Sequence, residues 1–157
     1  MKSFKSFGAL VRALERVVDE LPVTYAAVVK KGALLVEAAA KESIGHYQPE
    51  VGPFVEWAVL ADATLADKRS KGYADDRGDN PLLRTGEMRD SINSFSAGKE
   101  FLVGSSDPVL VWQERGTADA RFPIPPRPVL GPALYKNAPV IVDMLGVSIE
   151  KTLAGMK

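Results

Sequence analysis

The chain has 157 residues, 46% hydrophobic and 25% charged, proportions that suit one soluble globular domain with length enough to bury a sizeable core. Its 20 basic residues balance 20 acidic ones, which excludes a global field for nucleic acid or a membrane surface. The absence of cysteine excludes disulfides, thiolate metal sites and cysteine nucleophiles, and suits a reducing cytoplasm. No apolar run approaches the roughly 20 residues needed to cross a bilayer, and Arg12, Glu15 and Arg16 interrupt any signal-peptide core.

Phe4, Phe7, Val11, Leu14, Val18 and Leu21 recur at steps of three and four. This is a helical stripe in coiled-coil-like register, widened by Leu10 and Val17. Arg12, Glu15, Arg16, Asp19 and Glu20 take the other side. Such a helix packs on its own domain or serves as a partner helix in assembly, and the first use is the commoner. Pro22 is expected to end or kink it. From Val23 to about Ser43 a second helix is expected, weakened by Gly32, with Ala38, Ala39 and Ala40 permitting close helix approach. Gly45, Pro49, Gly52 and Pro53 mark a loop. His46, the one histidine, has no companion base or ligand in the pattern and reads as a packing or hydrogen-bonding residue.

Phe54 to Arg69 is the next helix candidate, with Trp57, Leu60, Ala61, Thr64 and Leu65 at helical spacing. Ser70 to Asn80 is polar. Its acidic trio Asp75, Asp76 and Asp79 lacks the ligand spacing of a calcium loop, and interleaved Lys71 and Arg77 make it a solvated, mobile connection. Pro81 to Ile92 reads as a structural joint. Leu82 and Leu83 are apolar anchors, Thr85 is the expected N-cap of a short helix, and Glu87 falls in its first turn, where the helix dipole favours a negative charge. Met88 and Ile92 share a face, while Arg84, Arg89 and Asp90 stay outside.

Ile92–Ser96 and Phe101–Ser105 then flank Ala97-Gly98-Lys99-Glu100 as a hairpin, with Phe101 and Val103 on one side and Leu102 on the other. After Asp107-Pro108, the β-branched residues favour a strand, but the N-cap, the proline and the closing Gly116 favour a short helix, which is preferred. Pro123, Pro125, Pro126 and Pro128 stiffen the following stretch toward an extended arm, either a rigid connection or a docking element that loses little entropy on contact. Glu114, Arg115, Arg121 and Arg127 flank it, with Glu114 the natural internal partner. The last helix is expected from Asn137 as N-cap, with Pro139 in its first turn and Ile141, Met144, Leu145 and Ile149 as its apolar face, ending at Gly155.

Helices, then short strands, then a helix predict an α+β fold. A small antiparallel sheet packs against a long N-terminal helix and a C-terminal helix, with an extended proline-rich arm. Residues 1–157 read as one domain: a mainly helical half (1–70), a mobile loop (71–80), and sheet, arm and C-terminal helix (81–157). One histidine, no cysteine, no Gly-x-Ser-x-Gly and no phosphate-binding glycine loop give no catalytic set. The expectation is a non-enzyme without cofactor or metal.

The run Leu83-Arg84-Thr85-Gly86-Glu87-Met88-Arg89-Asp90-Ser91-Ile92 resembles the central signature of the tail-completion, or virion morphogenesis, proteins of long-tailed bacteriophages. Further pieces follow in order: Val103-Gly104-Ser105, then Trp112-Gln113-Glu114-Arg115-Gly116-Thr117, then Ile124-Pro125-Pro126-Arg127-Pro128-Val129-Leu130-Gly131. Upstream, Ile44–Gln48 and Trp57–Leu60 resemble the subgroup with a longer N-terminal half, so the likeness spans roughly residues 40 to 135. The resemblance implies the same fold and a structural role at the head-proximal end of the tail or at the neck, completing the tail so that a head joins. It implies a cyclic homo-oligomer in the virion, assembled in the host cytoplasm beside other tail or neck proteins, without a membrane and with at most weak DNA contact. Candidate contacts between subunits or with partners are Arg84 and Arg89 at the joint, and Glu114, Arg115, Arg121, Pro125, Pro126 and Arg127 along the arm. The alternatives are a nucleic-acid-contacting module using the arm's arginines and a small phage-encoded hydrolase built on a carboxylate pair.

Overall fold

A computed structural model describes residues 5–73, 79–118 and 123–155. Its elements are α1 (Phe7–Ser43), α2 (Asp62–Ser70), α3 (Glu87–Asp90), β1 (Ile92–Ala97), β2 (Glu100–Ser105), α4 (Val109–Arg115) and α5 (Leu130–Ala154). The chain is α+β: a long N-terminal helix and a C-terminal helix carry a two-stranded antiparallel sheet. No described helix is long and apolar enough to cross a membrane.

Helix α1 starts at Ser6, whose hydroxyl accepts from the Ala9 N–H at 3.2 Å, one of the donors a helix start leaves unpaired. The helix then runs through Pro22 without ending, so the two expected helices are one. Proline removes one backbone donor from the ladder. Here that cost falls at an exposed position flanked by buried Val17 and Val28, so packing on both sides outweighs the lost bond.

Helix α5 lies antiparallel along α1. The Thr24 and Thr152 hydroxyls meet at 3.4 Å, while at the other end Ile141 packs over Gly32, where a Cβ would stand 3.2 Å from it. The hairpin covers the adjoining side of α1. Its register runs from Ile92 opposite Ser105 to Ala97 opposite Glu100, joined by a two-residue turn at Gly98-Lys99, tighter than the four-residue connection expected from the sequence. Gly98 supplies the positive φ of 58° that such a turn requires. Phe101 and Val103 are half-buried and Leu102 is exposed, the alternation expected of a sheet with one packed face.

The core gathers Val36, Ala40 and Ile44 of α1 with Trp57, Ile92, Leu110, Val129 and Ala133. It therefore lies where the end of α1 meets the hairpin, α4 and the start of α5. Trp57 reaches it from an extended segment. Residues 54–61 are not helical, and α2 begins only at Asp62. The Trp57 N–H donates to the Gln48 carbonyl at 2.9 Å and its indole Nε1 to the Pro128 carbonyl at 3.0 Å. The Gln48 carbonyl thus takes the backbone donor that a helix would have used.

Helix α5 begins at Leu130 rather than at Asn137. Pro132 sits in the first turn, where a missing N–H costs nothing. Asn137 donates its side-chain amide to the Ala133 carbonyl at 2.8 Å, and Pro139 lies inside the helix.

Candidate functional site

The joint is anchored on both sides. The Pro81 carbonyl accepts from the Gly45 N–H at 2.8 Å, and Pro81 is fully buried. Lys68 of α2, also buried, donates its ammonium to the Asn80 side-chain oxygen at 2.6 Å and to the Asn80 carbonyl. A buried ammonium is tolerated only with such partners. Leu82 holds a left-handed backbone with φ 62°, unusual for a side chain with a Cβ, while it and Leu83 pack against the core. The strain is thus set against apolar burial.

Gly86, not Thr85, occupies the cap position of α3, because the chain turns there with φ 92°, a conformation suited to glycine. Thr85 still contributes: its hydroxyl accepts from the Glu87 N–H at 3.4 Å and donates to the Glu87 carboxylate at 3.0 Å. Met88 is half-buried and Ile92 fully buried, both toward the core. Ser91 donates to the Met88 carbonyl at 2.7 Å or shares its proton with Ser105 at 2.5 Å, tying joint to hairpin.

The charged candidates at the joint face outward with partners of their own. Arg84 pairs with Asp67 of α2 and its guanidinium carbon lies 5.2 Å from the centre of the Tyr73 ring, a cation–π distance. Lys71 first, and then Arg84, hold the Asp67 carboxyl below its usual range. Arg89 meets Asp90 at 3.0 Å.

The arm is fastened at its root. Glu114, in α4, places Oε1 at 2.8 Å from the Val129 N–H and 2.6 Å from the Leu130 N–H. One carboxylate thereby satisfies two donors at the start of α5 and faces the positive end of its dipole. Gly116 turns the chain with φ 70° and ψ 178°, a region essentially restricted to glycine. Thr117 and Ile124 then face each other: the Thr117 N–H donates to the Ile124 carbonyl at 2.9 Å, and the Ile124 N–H to the Thr117 hydroxyl at 3.0 Å.

Arg127 is buried. Its N–H donates to the Gln113 carbonyl, and its guanidinium donates to the carbonyls of Ala58 and Val59. Burial draws the guanidinium pKa downward, with Tyr47 opposing, but an arginine stays charged at any working pH. Of the remaining arm candidates, Arg115, Pro125 and Pro126 are exposed, and Arg121 lies outside the described residues.

Both signature stretches therefore meet one region, the segment from Trp57 to Tyr73. The joint meets it through the Arg84–Asp67 pair, and the arm grips it through Trp57, Ala58 and Val59. Glu37, Asp67 and Glu114 each engage donors on another segment: Ser94, Arg84, and Val129 with Leu130. His46 is exposed just past α1. Among the described residues, no group of three His, Cys, Asp or Glu side chains is placed to hold a metal; Asp75 and Asp76 lie outside them.

Sequence reasoning did not single out Phe95 or its pairing with Leu102. Phe95 and Leu102 stand directly opposite on the outer face of the hairpin, 69% and 70% exposed. Strand alternation marks Leu102, but nothing local marks the pair, because it arises from register. The joint and the arm supply bracing. Comparison with protein-family models, with characterised proteins and with solved structures gave no significant match.

Proposed function

We propose that this chain is a structural morphogenesis protein of a tailed bacteriophage or prophage. It acts at the head-proximal end of the tail or at the neck, in repeated copies that form a ring and complete the tail for head joining. The observation that carries this reading is the ordered set of signature pieces between Leu83 and Gly131. The structure gives those pieces a common physical purpose. Glu114 caps the helix that Val129 and Leu130 begin, Gly116 makes the turn, and Arg127 locks the returning chain. Glu-x-Gly-Thr and Ile-Pro-x-Arg-Pro-x-Leu-Gly are thus two halves of one fastening.

Two more features support an assembly role. Among the described residues the sheet has two strands, which offer outer edges to which a neighbour's strand can add. Its outer face also carries the exposed Phe95–Leu102 pair, the sort of surface that marks an interaction site when it joins larger apolar patches. Burial of Arg127 removes one of the arm's three arginines from nucleic-acid contact and weighs against the DNA-binding alternative.

The test is the composition of purified infectious particles of the parent phage. Mass spectrometry is expected to find this chain at a fixed multiple per virion, and labelled antibody to mark the junction of head and tail. Particles that are infectious and lack the chain would contradict the reading.

A further inference from the structure

The two edges of the hairpin differ in chemistry. Antiparallel strands bond through alternate residue pairs, and the pairs between them turn their N–H and C=O groups outward. Ser94 gives its N–H to the Glu37 carboxylate at 2.9 Å, so the Ser94–Val103 pair is one of those turned outward. By the same alternation the Ser96–Phe101 pair, two residues along, is another. On β1 this edge is engaged. Glu37 takes both the N–H and the hydroxyl of Ser94, and Lys41 is paired with it. Charged side chains at an edge turn an incoming strand away. On β2, no described group bonds to the outward N–H and C=O groups of Phe101 and Val103.

An open edge specifies its occupant. A row of backbone donors and acceptors is satisfied along its length by an extended polypeptide strand. The side chains beside the edge narrow the choice. Phe101 and Val103 are half-buried on the inner face, and Leu102 is exposed on the outer face directly across from exposed Phe95. The incoming strand therefore needs apolar side chains on both of its faces at this point. The run Phe101-Leu102-Val103 of β2 is itself such a strand, with its edge open. Strand β1 is not, since Asn93, Ser94 and Ser96 make it polar and Glu37 holds its edge.

We propose that β2 of one copy pairs antiparallel with β2 of a second copy of this chain, about a two-fold axis at Leu102. Phe101 then exchanges backbone hydrogen bonds with Val103 of the second copy. Leu102 faces its own counterpart in the closer kind of pair, with Cα atoms about 4.5 Å apart. The sheet becomes β1-β2-β2-β1. Its outer face carries one apolar row: the Phe95–Leu102 pair of one copy, then the same pair reversed in the other. Glu100 stands opposite Gly104 of the second copy, so no like charges face each other.

The helix beneath the hairpin leaves this seam clear. It packs more on β1 than on β2, and Glu37 reaches the outer edge of β1, on the side away from the second copy. One strand a side makes a contact smaller than the standard interface of about 1,600 Å², so association depends on concentration. A two-fold contact closes at two copies, whereas a ring of more subunits needs head-to-tail contacts. The inference therefore goes beyond the virion reading and stands on the hairpin alone.

The test uses the full chain in sedimentation analysis up to about 1 mM, with Leu102→Lys and Leu102→Glu variants checked for native structure by circular dichroism. The wild type is expected to dimerise. Each variant alone is expected to be monomeric, because like charges would face each other across the axis. An equal mixture of the two is expected to regain the dimer, since opposite charges then face. Hydrogen exchange reads the edge itself: the Phe101 and Val103 amides should exchange more slowly in concentrated than in dilute wild type. A monomeric wild type overturns the contact and leaves the edge to a strand of another protein. A variant that dimerises alone, or a mixture that stays monomeric, overturns the pairing at Leu102. A dimer whose Phe101 and Val103 amides exchange as they do in the monomer overturns the use of this edge.

Discussion

The guanidinium of Arg127 holds the carbonyl of Ala58 through two donors, Nε at 3.2 Å and Nη2 at 2.9 Å. This fixes the extended segment that carries Trp57 into the core. An Arg127→Met variant would keep much of the apolar stem and leave the Ala58 carbonyl without these donors. The expected loss is about 2–3 kcal/mol of unfolding free energy, the range for a charge-assisted hydrogen bond to a group left unpaired, read from the denaturant midpoint. An unchanged midpoint would mean that the Ala58 and Val59 carbonyls find other partners.

Glu114 is expected to stabilise α5 as a remote cap. Glu114→Ala removes the acceptor for two N–H groups and should cost about 1–2 kcal/mol. Hydrogen exchange at Val129 and Leu130 provides the local reading: their protection should fall more than that of Ile92 in the hairpin.

Glu37 links α1 to the sheet, with its carboxylate accepting from the Ser94 N–H at 2.9 Å, the Ser94 hydroxyl at 2.7 Å and the Lys41 ammonium at 2.6 Å. The Lys41 and Ser94 side-chain bonds hold its pKa below the usual 4.5. The unfolded chain then binds this proton more tightly than the folded one. The contribution of Glu37 is thus fully present above the unfolded pKa, and is lost as pH falls through the lowered folded value. Glu37→Gln should melt at lower temperature than the wild type at pH 7, with the gap closing in acid. A gap that stays constant down to the acid side of that transition would contradict the assignment.

Gly116 and Gly98 both have positive φ, 70° and 58°, but their surroundings differ. A Cβ at Gly116 would lie 2.6 Å from the Ile124 backbone oxygen, while one at Gly98 meets nothing within 4 Å. Gly98→Ala should therefore cost only backbone strain, about 1 kcal/mol. Gly116→Ala adds a clash with main chain and should cost about 3 kcal/mol or more. Equal melting temperatures for the two variants would refute this difference.

Local pattern revealed what local physics controls. The stripe from Phe7 to Leu21, the Ala-rich stretch after it, and the hairpin around Gly98 were legible because spacing and turn chemistry act within a few residues. Pro22 misled, since its lost hydrogen bond is weighed against packing made by α5 and the hairpin, far along the chain. Trp57, Leu60 and Leu65 have helical spacing, yet the backbone near Trp57 is held extended by Gln48, Arg127 and Pro128. The start of α5 was hidden for the same reason, as its capping oxygen comes from Glu114 rather than from an adjacent residue. Pro132 was the available signal, being well suited to a first turn. At the candidate site, the sequence pointed to the joint and the arm as regions. It did not reveal that Arg127 faces inward, nor that Glu114, the expected internal partner, takes the Val129 and Leu130 N–H groups, because these partners lie in other segments.

The most direct measurement for the central claim is electron microscopy of lysates from the parent phage or prophage with this gene deleted. The account predicts filled heads accumulating apart from tails, with joined particles restored when the gene is supplied in trans. Intact, infectious virions in normal numbers from the deleted strain would contradict it.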